Sequence, residues 1–177
     1  MLKYIETDRL ICRELLDTDI YGMYTLDSNP SVHIYLGNNP VTDISKSQEY
    51  IANIQSQYRQ NGIGRWAVIE KASGTFIGWS GLKLITDEIN KQSNYHDLGY
   101  RFIQDYWGKG YATETAEAFL KYGFKILELK KICAIADVAN ISSNKVLHKI
   151  GMHPINTFQY NGVLHNFYEL TKSCWQL

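Results

Sequence analysis

Two glycines in the second half of the sequence, Gly108 and Gly110, lie in the turn between a predicted strand and a predicted helix. Because glycine has no Cβ, successive backbone N–H groups at such a turn can approach a ligand closely. The first N–H groups of a helix lack intrahelical acceptors, and the helix dipole adds partial positive charge there. We therefore predict a phosphate or pyrophosphate site formed by backbone atoms at this turn, with Lys109 as an added cation.

A G-x-G turn has other interpretations. It is also typical of a tight strand-to-helix connection that binds nothing, because short glycine motifs often arise by chance. Two standard phosphate loops are excluded: the sequence has no G-x-x-x-x-G-K-[ST], and the dinucleotide pattern G-x-G-x-x-G fails at Thr113. A nucleotide-binding site built on the same two glycines stays open as an alternative.

Composition and charge narrow the classes of protein. The 177 residues include 18 Lys and Arg and 18 Asp and Glu, so the formal net charge is zero. General nucleic-acid or anionic-membrane binders carry a basic excess, so neither partner is expected. With 45% hydrophobic and 20% charged residues the chain is predicted to be globular, and no apolar run reaches transmembrane length. Three widely spaced cysteines favour reduced thiols and a cytoplasmic location.

Hydrophobic periodicity and turn residues predict the elements that position the glycine turn, in the order β-α-α-β-β-β-α-β-α-β-β. The strands are predicted at 10–15, 66–71, 76–85, 97–103 and 131–138, with two more on either side of Asn161-Gly162. The helices are predicted from Asp17 to the Asn29-Pro30 break, from Thr42 or Asp43 to Asn61, from about Gly110 to Leu127, and from about Ser142 to Ile150. This order predicts one α/β domain over residues 1–177, with a central mixed, mostly antiparallel sheet flanked by helices.

The glycine turn lies in the stretch W-G-K-G-Y-A-T-E, from Trp107 to Glu114, which resembles the acetyl-coenzyme A pyrophosphate loop of the GNAT N-acetyltransferase superfamily. The RimJ/RimL-like branch of that superfamily is the most similar. Other stretches resemble that branch in the same chain order: E-T-D-R-L-I-C-R-E-L (6–15) its opening strand, L-G-Y-R (98–101) its central strand, N-I-S-S-N-K-V-L-H-K-I-G-M (140–152) its N-x-x-S helix, and F-Y-E-L-T (167–171) its closing strand. The resemblance covers nearly the whole chain and implies a GNAT-like fold.

The resemblance also implies how acetyl-coenzyme A is held. The loop would bind the pyrophosphate, and strand backbone would pair with the pantetheine arm as an added strand does. The implied cofactor-binding residues are Tyr100, Arg101, Phe102, Trp107, Gly108, Lys109, Gly110, Tyr111, Ala112, Thr113, Asn140 and Ser143. Trp107 takes the first place of the superfamily's Q/R-x-x-G-x-G/A pattern, as is familiar in this branch. No metal is expected, because His148 and His153 lack further ligands nearby in the sequence.

Acetyl transfer to an amine requires a proton for the departing thiolate. Ser143 matches the serine of the N-x-x-S motif and is the first candidate for this acid, with a helix cap as the alternative role. Tyr160 and Tyr168 are fallback hydroxyls, because the tyrosine that many superfamily members place in the last helix is Leu147 here. Asp97 is the candidate general base, with a solvated carboxylate at a strand end as the alternative.

The function implied by the resemblance is acetyl-coenzyme A-dependent N-acetylation, with direct transfer to a primary amine. The acceptor is expected to be a protein N-terminus, a polyamine or another small amine, and zero net charge weakens the case for a polyamine. Tyr21, Tyr24 and Tyr35 lie where the family covers its acceptor cleft, and Trp66 and Trp79 are predicted to be core residues. A catalytically silent coenzyme A-binding or sensing domain is a further alternative. The protein is expected to be a monomer or a homodimer.

Overall fold

The strands form one eight-stranded sheet in the computed structural model, which describes residues 4–175. They are β1 (Tyr4–Glu6), β2 (Leu10–Glu14), β3 (Arg65–Glu70), β4 (Thr75–Ile85), β5 (Tyr95–Phe102), β6 (Lys131–Asp137), β7 (His153–Tyr160) and β8 (Val163–Thr171). Their order across the sheet is β1-β2-β3-β4-β5-β6-β8-β7. The predicted fold class, a mixed and mostly antiparallel sheet flanked by helices, is confirmed.

Strands β5 and β6 run parallel, whereas the other neighbouring strands in the described chain are antiparallel. The parallel pair meets at a single position, where Asp97 pairs with Cys133. Beyond it, β5 stays paired with β4 as far as Phe102, and β6 stays paired with β8 until Asp137. The inner edges of β5 and β6 therefore diverge and leave a wedge-shaped opening within the sheet.

The helices of the described chain are α1 (Ile20–Ser28), α2 (Pro30–His33), α3 (Ile44–Asn61), α4 (Tyr111–Lys121) and α5 (Ile141–Lys149). Short 3-10 turns precede α1 and the glycine turn, at Asp17–Asp19 and Gln104–Tyr106. Helix α3 begins where expected, because the carboxylate of Asp43 accepts the N–H of Ser45 at 2.9 Å. Within residues 4–175, no helix combines the length and the apolar character needed to cross a bilayer.

The helices cover the sheet on both faces. Leu26 of α1, Ile54 of α3 and Trp79 of β4 belong to one buried cluster, whereas Phe119 of α4 packs in a second cluster that contains Leu82. Trp79 and Leu82 are three residues apart on β4, so their side chains lie on opposite faces. The wedge between β5 and β6 thus opens between two packed layers.

Both predicted core tryptophans, Trp79 and Trp66, are buried.

The observed strand bounds lie within two residues of those predicted for 10–15, 66–71, 76–85, 97–103 and 131–138, and the larger departures have local causes. The sequence does not predict strand β1, because its three residues are too few to show alternation. Pro30 ends α1 as expected but also begins α2, since proline fits the first helical position and Asn29 caps the Ser31 N–H. The predicted helix to Leu127 is α-helical until Lys121 and continues as a π-helical turn.

Candidate active site

A cavity of about 290 Å³ occupies the wedge between β5 and β6. Strand β5 contributes Asp97, Gly99 and Tyr100 to its wall, and β6 contributes Ile135 and Asp137. The start of the following helix completes this side with Asn140, Ser143 and Leu147. An extended chain entering the wedge would meet the free backbone edge of β5, which can pair with it as with an added strand.

The turn after β5 leads from this cavity to the first residues of α4. The φ angles of Gly108 and Gly110 are +74° and +83°. L side chains rarely adopt this left-handed conformation, so the turn favours glycine at both positions. Helix α4 begins at the next residue, Tyr111, and its first N–H groups have no intrahelical acceptors. The backbone conformation therefore presents several N–H donors at a helix start, as an anion requires.

Side chains from the first β-hairpin hold this turn against α4. Glu114 accepts hydrogen bonds from Thr7 Oγ1 at 2.6 Å and from Arg9 Nε at 2.7 Å. Arg9 also donates from Nη1 to the carbonyl oxygen of Lys109 at 2.9 Å, so one guanidinium bridges helix and turn. On the other side, the indole N–H of Trp107 donates to the carbonyl oxygen of Phe102 at 2.7 Å. The turn is thus anchored at both ends by side-chain hydrogen bonds.

Two hydroxyl groups meet across the wedge, one from β5 and one from α5. The phenolic oxygen of Tyr100 lies 3.1 Å from Ser143 Oγ and 3.1 Å from the carbonyl oxygen of Ser143. Asn140 caps α5, since its side-chain oxygen accepts the N–H of Ser143 at 3.1 Å. The Ser143 hydroxyl is therefore not the cap and faces Tyr100. Burial raises the pKa of the Tyr100 phenol, which keeps it protonated as a donor.

Asp97 forms a buried ion pair with Arg65 at the point where the wedge begins. The guanidinium of Arg65 donates to the Asp97 carboxylate, to the Asp97 carbonyl oxygen at 2.6 Å, and to the carbonyl oxygen of Gly81. It lies so close to β5 that a Cβ on Gly99 would approach Arg65 Nη2 to 2.7 Å, which explains the glycine there. Burial raises the pKa of the Asp97 carboxyl, and the Arg65 guanidinium opposes that shift.

A second ion pair lies beside the first on the same face of the sheet. Arg101 Nη1 donates to Asp27 Oδ1 at 2.6 Å. The guanidinium carbons of Arg101 and Arg65 lie 5.0 and 5.6 Å from the ring centroid of Trp79, so two cations face one indole. His33 is buried nearby, with Nε2 4.0 Å from Asp27 Oδ1, and burial lowers the pKa of its imidazole. The two cations and the two carboxylates balance in charge.

Residues 9–153 match the family model described as an acetyltransferase (GNAT) domain, which is most of the chain. The protein belongs to the GNAT acetyltransferase family. One relative of this acetyltransferase, the uncharacterised N-acetyltransferase p20 of Bacillus licheniformis, is 30% identical to it and covers 94% of this chain and 88% of its own length. The family uses acetyl-coenzyme A as its acetyl donor, and this chain is an acetyltransferase of that kind.

Solved structures show the same fold for this GNAT acetyltransferase. A GNAT-family acetyltransferase from Bacillus anthracis superposes with a TM-score of 0.81 at 23% identity, over 97% of this chain and 99% of that one. The RimL ribosomal alpha-N-protein acetyltransferase, solved in complex with coenzyme A, superposes with a TM-score of 0.81 at 17% identity, over 96% and 98%. At these identities the likeness concerns the fold alone.

The predicted site residues of the acetyltransferase fall into two groups. Asp97, Tyr100, Asn140 and Ser143 line the wedge cavity together, and the residues predicted to bind the pyrophosphate follow directly at 107–113. The other two β5 residues turn their side chains away: Phe102 is buried in the core, and Arg101 is paired with Asp27. For both residues, only the backbone atoms are left to pair with a chain in the wedge. Lys109 Nζ lies 4.7 Å from the ring centroid of Tyr106.

The fallback hydroxyls lie in different surroundings. Tyr160 lines the cavity, whereas Tyr168 is buried behind it and donates to Asn144 Oδ1 at 2.7 Å. Leu147, in place of the tyrosine seen in other superfamily members, is buried and lines the cavity. The phenol nearest to Ser143 comes instead from Tyr100 on the facing strand. The sequence predicts only a backbone role for Tyr100, because no local pattern indicates a contact between its side chain and Ser143.

Two of the three cysteines, Cys12 and Cys133, are buried. Burial raises the pKa of the Cys12 and Cys133 thiols to about 12, so neither presents a thiolate at neutral pH. Within residues 4–175, no three His, Cys, Asp or Glu side chains are grouped as metal ligands would be. Of the three tyrosines predicted near the acceptor, Tyr35 lines the cavity, and Tyr21 and Tyr24 lie on α1 outside the lining.

Proposed function

We propose that this acetyltransferase transfers acetyl from acetyl-coenzyme A directly to a primary amine, either a protein N-terminal amine or a small-molecule amine. The observation that carries the proposal is the Tyr100–Ser143 hydroxyl pair inside the wedge, beside the free edge of β5. A donor hydroxyl and an open strand edge in one cavity are what transfer from a thioester requires.

The residues present fit acetyl-coenzyme A. The N–H groups of Gly108 to Thr113 would hold the pyrophosphate at the start of α4, with Lys109 as a nearby cation. The backbone of Tyr100 to Phe102 and the Asn140 side chain would hold the pantetheine arm in the wedge. When bound, acetyl-coenzyme A supplies the acetyl group as a thioester. A β5 N–H aimed at the thioester oxygen would stabilise negative charge there.

Ser143 is proposed as the acid. During transfer a nitrogen–carbon bond forms and the carbon–sulfur bond breaks, so the amine loses one proton and the sulfur gains one. The Ser143 hydroxyl holds the proton destined for the sulfur, and Tyr100 holds Ser143 in place and can return a proton to it across 3.1 Å. Since burial raises the pKa of the Tyr100 phenol, the phenol stays protonated at neutral pH and can hydrogen-bond to Ser143.

Asp97 is proposed as the base, directly or through one water molecule. Its carboxylate lines the same cavity, and its raised pKa makes it a better proton acceptor than an ordinary aspartate. The ion pair with Arg65 favours the ionised carboxylate and so opposes the effect of burial on its pKa. An amine that arrives neutral requires less of this residue than an ammonium does.

Titration calorimetry and a thiol-release assay test the proposal. The protein is expected to bind acetyl-coenzyme A and to release free thiol only when an amine is added. Ser143→Ala is expected to lower kcat with little change in acetyl-coenzyme A affinity, whereas Ser142→Ala, at an exposed neighbour on α5, is the matched control. Binding without thiol release for any amine would instead identify a silent coenzyme A-binding domain. Tight binding of NAD or ATP in place of acetyl-coenzyme A would identify a nucleotide-binding domain.

A further inference from the structure

Much of the lining of the wedge cavity is apolar or aromatic. Outside β5, β6 and α5, the apolar and aromatic lining residues are Tyr35, Leu36, Trp79, Ile85, Ile89 and Tyr160, and Arg65 and His165 belong to the same part of the lining. These apolar and aromatic residues come from the α2–α3 connection, from β4 and the loop after it, and from the β7 end. The predicted cofactor residues Asn140 and Ser143 lie on a different element of the lining, at the start of α5. Because Tyr35, Leu36 and Tyr160 are partly exposed, an acceptor that enters past them meets hydrophobic side chains.

We propose that the preferred acceptor is a primary monoamine with an apolar or aromatic group close to its nitrogen. The proposal rests on the proposed N-acetyltransferase function and narrows its substrate class. Both a small arylalkylamine and a peptide that begins with a bulky apolar residue carry this chemistry. A polyamine does not, because its second cation would lie in the same apolar region.

Charge in the cavity argues against a second cation. Among described residues, the charged side chains of the lining are Arg65, Asp97 and Asp137, with His165 as a further titratable group. The carboxylate of Asp97 is engaged by Arg65, and Asp137 Oδ1 accepts the N–H of Ala139 at 2.8 Å, on the α5 side. A second ammonium beside the apolar side chains would lose its hydration, and among the described lining residues the one carboxylate left without an ion-pair partner is Asp137, at the end of β6.

Exposed hydrophobic side chains at the mouth favour an apolar occupant. Tyr35, Leu36 and Tyr160 line the cavity, yet they are 38%, 45% and 38% exposed. Large apolar side chains grouped at the entrance of a cavity mark a binding surface more often than a random exposed residue does. An aromatic or aliphatic group on the acceptor would cover them, and the gain in affinity scales with the apolar area removed from water.

The test compares four acceptors by thiol release with the purified protein: 2-phenylethylamine, a tripeptide beginning with Phe, spermidine and ethanolamine. We expect kcat/KM for at least one apolar acceptor to exceed that for spermidine and ethanolamine by at least about tenfold, from the area it buries. Preference for 2-phenylethylamine would indicate a small-molecule acceptor, and preference for the peptide a protein N-terminus. Spermidine or ethanolamine as the best acceptor would overturn this inference and leave the proposed function standing.

A pair of matched variants places the effect in the cavity. Tyr35→Ala is expected to raise KM for 2-phenylethylamine about tenfold and to leave KM for ethanolamine within about twofold. Tyr21→Ala is the control, because Tyr21 is 75% exposed and lies outside the lining. Equal effects of the two variants would contradict the assignment of the apolar subsite. Acetyl-coenzyme A binding without thiol release for all four acceptors would overturn the proposed function as well.

Discussion

The phenolic oxygen of Tyr100 lies 3.1 Å from the hydroxyl oxygen of Ser143, so a β5 side chain meets an α5 side chain across the wedge. The two strands that carry the wedge pair only at Asp97 and Cys133 and then separate. The contact therefore spans the gap that strand pairing leaves open. It places two exchangeable protons where β5 offers a free backbone edge, which links the topology of the sheet to the chemistry proposed for it.

Removing the hydroxyl of Ser143 or of Tyr100 should lower kcat, and the two losses should not add, because both groups serve one proton transfer. Ser143→Ala is expected to lower kcat by about 100-fold, because proton transfer to the leaving sulfur is lost. Tyr100→Phe is expected to lower kcat by about tenfold, because Ser143 loses its orienting partner. Since both act on one proton, the double variant should be no slower than Ser143→Ala alone, as steady-state kinetics at saturating acetyl-coenzyme A would show.

Two outcomes of these kinetic measurements would contradict the coupling of Tyr100 and Ser143. If the losses in kcat from the two single substitutions add in the double variant, Tyr100 has a structural role and takes no part in proton transfer. A wild-type rate for Ser143→Ala would remove the serine from the mechanism. Ser142→Ala, whose side chain is exposed on the same helix, is expected to keep the wild-type kcat.

Asp97→Asn should change the pH dependence of the reaction as well as its rate. Burial raises the pKa of Asp97, so kcat/KM for the wild type should rise as pH increases through that raised pKa and the carboxylate forms. The asparagine cannot ionise, so the variant should lose this rise of kcat/KM with pH. If the rise persists unchanged in the variant, it reflects deprotonation of the amine itself, and Asp97 is not the base.

The same substitution leaves the buried Arg65 without its negative partner. Side-chain exposures of 9% and 13% for Arg65 and Asp97 make this an interior pair. We expect a loss of about 3 kcal/mol in the free energy of unfolding, measured by urea denaturation at pH 7. The rate measurements therefore require temperatures at which circular dichroism shows the variant folded.

Much of the fold could be predicted from the sequence because its determinants are local. The glycine turn, the Asp43 cap and the hairpin at Asn161-Gly162 each depend on a few adjacent residues. The alternation and length of apolar runs set the strand bounds. The predicted cofactor loop follows from the same kind of information, since a turn with φ angles of +74° and +83° selects glycine.

The parts that could not be predicted are contacts between distant residues. Arg65 and Asp97 are 32 positions apart, and Arg9 and Glu114 are 105 apart. Nothing in the local pattern around Glu114 distinguishes a first-turn acid that favours the helix dipole from a carboxylate bound by Arg9. The sequence supplied the candidate Asp97 but not the guanidinium that holds it.

Gly108→Ala tests whether the turn binds the cofactor or only reverses the chain. A Cβ at Gly108 meets no atom within 4 Å, so the cost of the substitution is the left-handed backbone, φ +74°. Gly162, in the β7–β8 turn with φ +79° and no atom within 4 Å, offers a matched control. Both alanine variants should lose about 1 kcal/mol of stability. Only Gly108→Ala should weaken acetyl-coenzyme A binding in calorimetry, and equal affinity in both would show that the turn has no role in binding.

Glu114→Gln tests the contact that holds the glycine turn through Arg9. Although burial opposes it, hydrogen bonds from Thr7 and Arg9 lower the pKa of Glu114 below its ordinary value of 4.5. The ionised carboxylate therefore stabilises the fold at and above pH 4.5, and this contribution is lost as pH falls through the lowered pKa. We expect the variant to be about 1 kcal/mol less stable at pH 7, a modest value because Arg9 is half exposed.

The difference in unfolding free energy between wild type and Glu114→Gln should shrink as pH falls through the lowered pKa of Glu114, because the wild-type carboxylate then becomes neutral too. Urea denaturation of both proteins between pH 7 and pH 3 measures this difference. A difference that is constant across the range would show that the amide loses packing rather than charge. Because Arg9 also holds the carbonyl oxygen of Lys109, the variant should raise KM for acetyl-coenzyme A while kcat changes little, which separates this contact from the Tyr100–Ser143 pair.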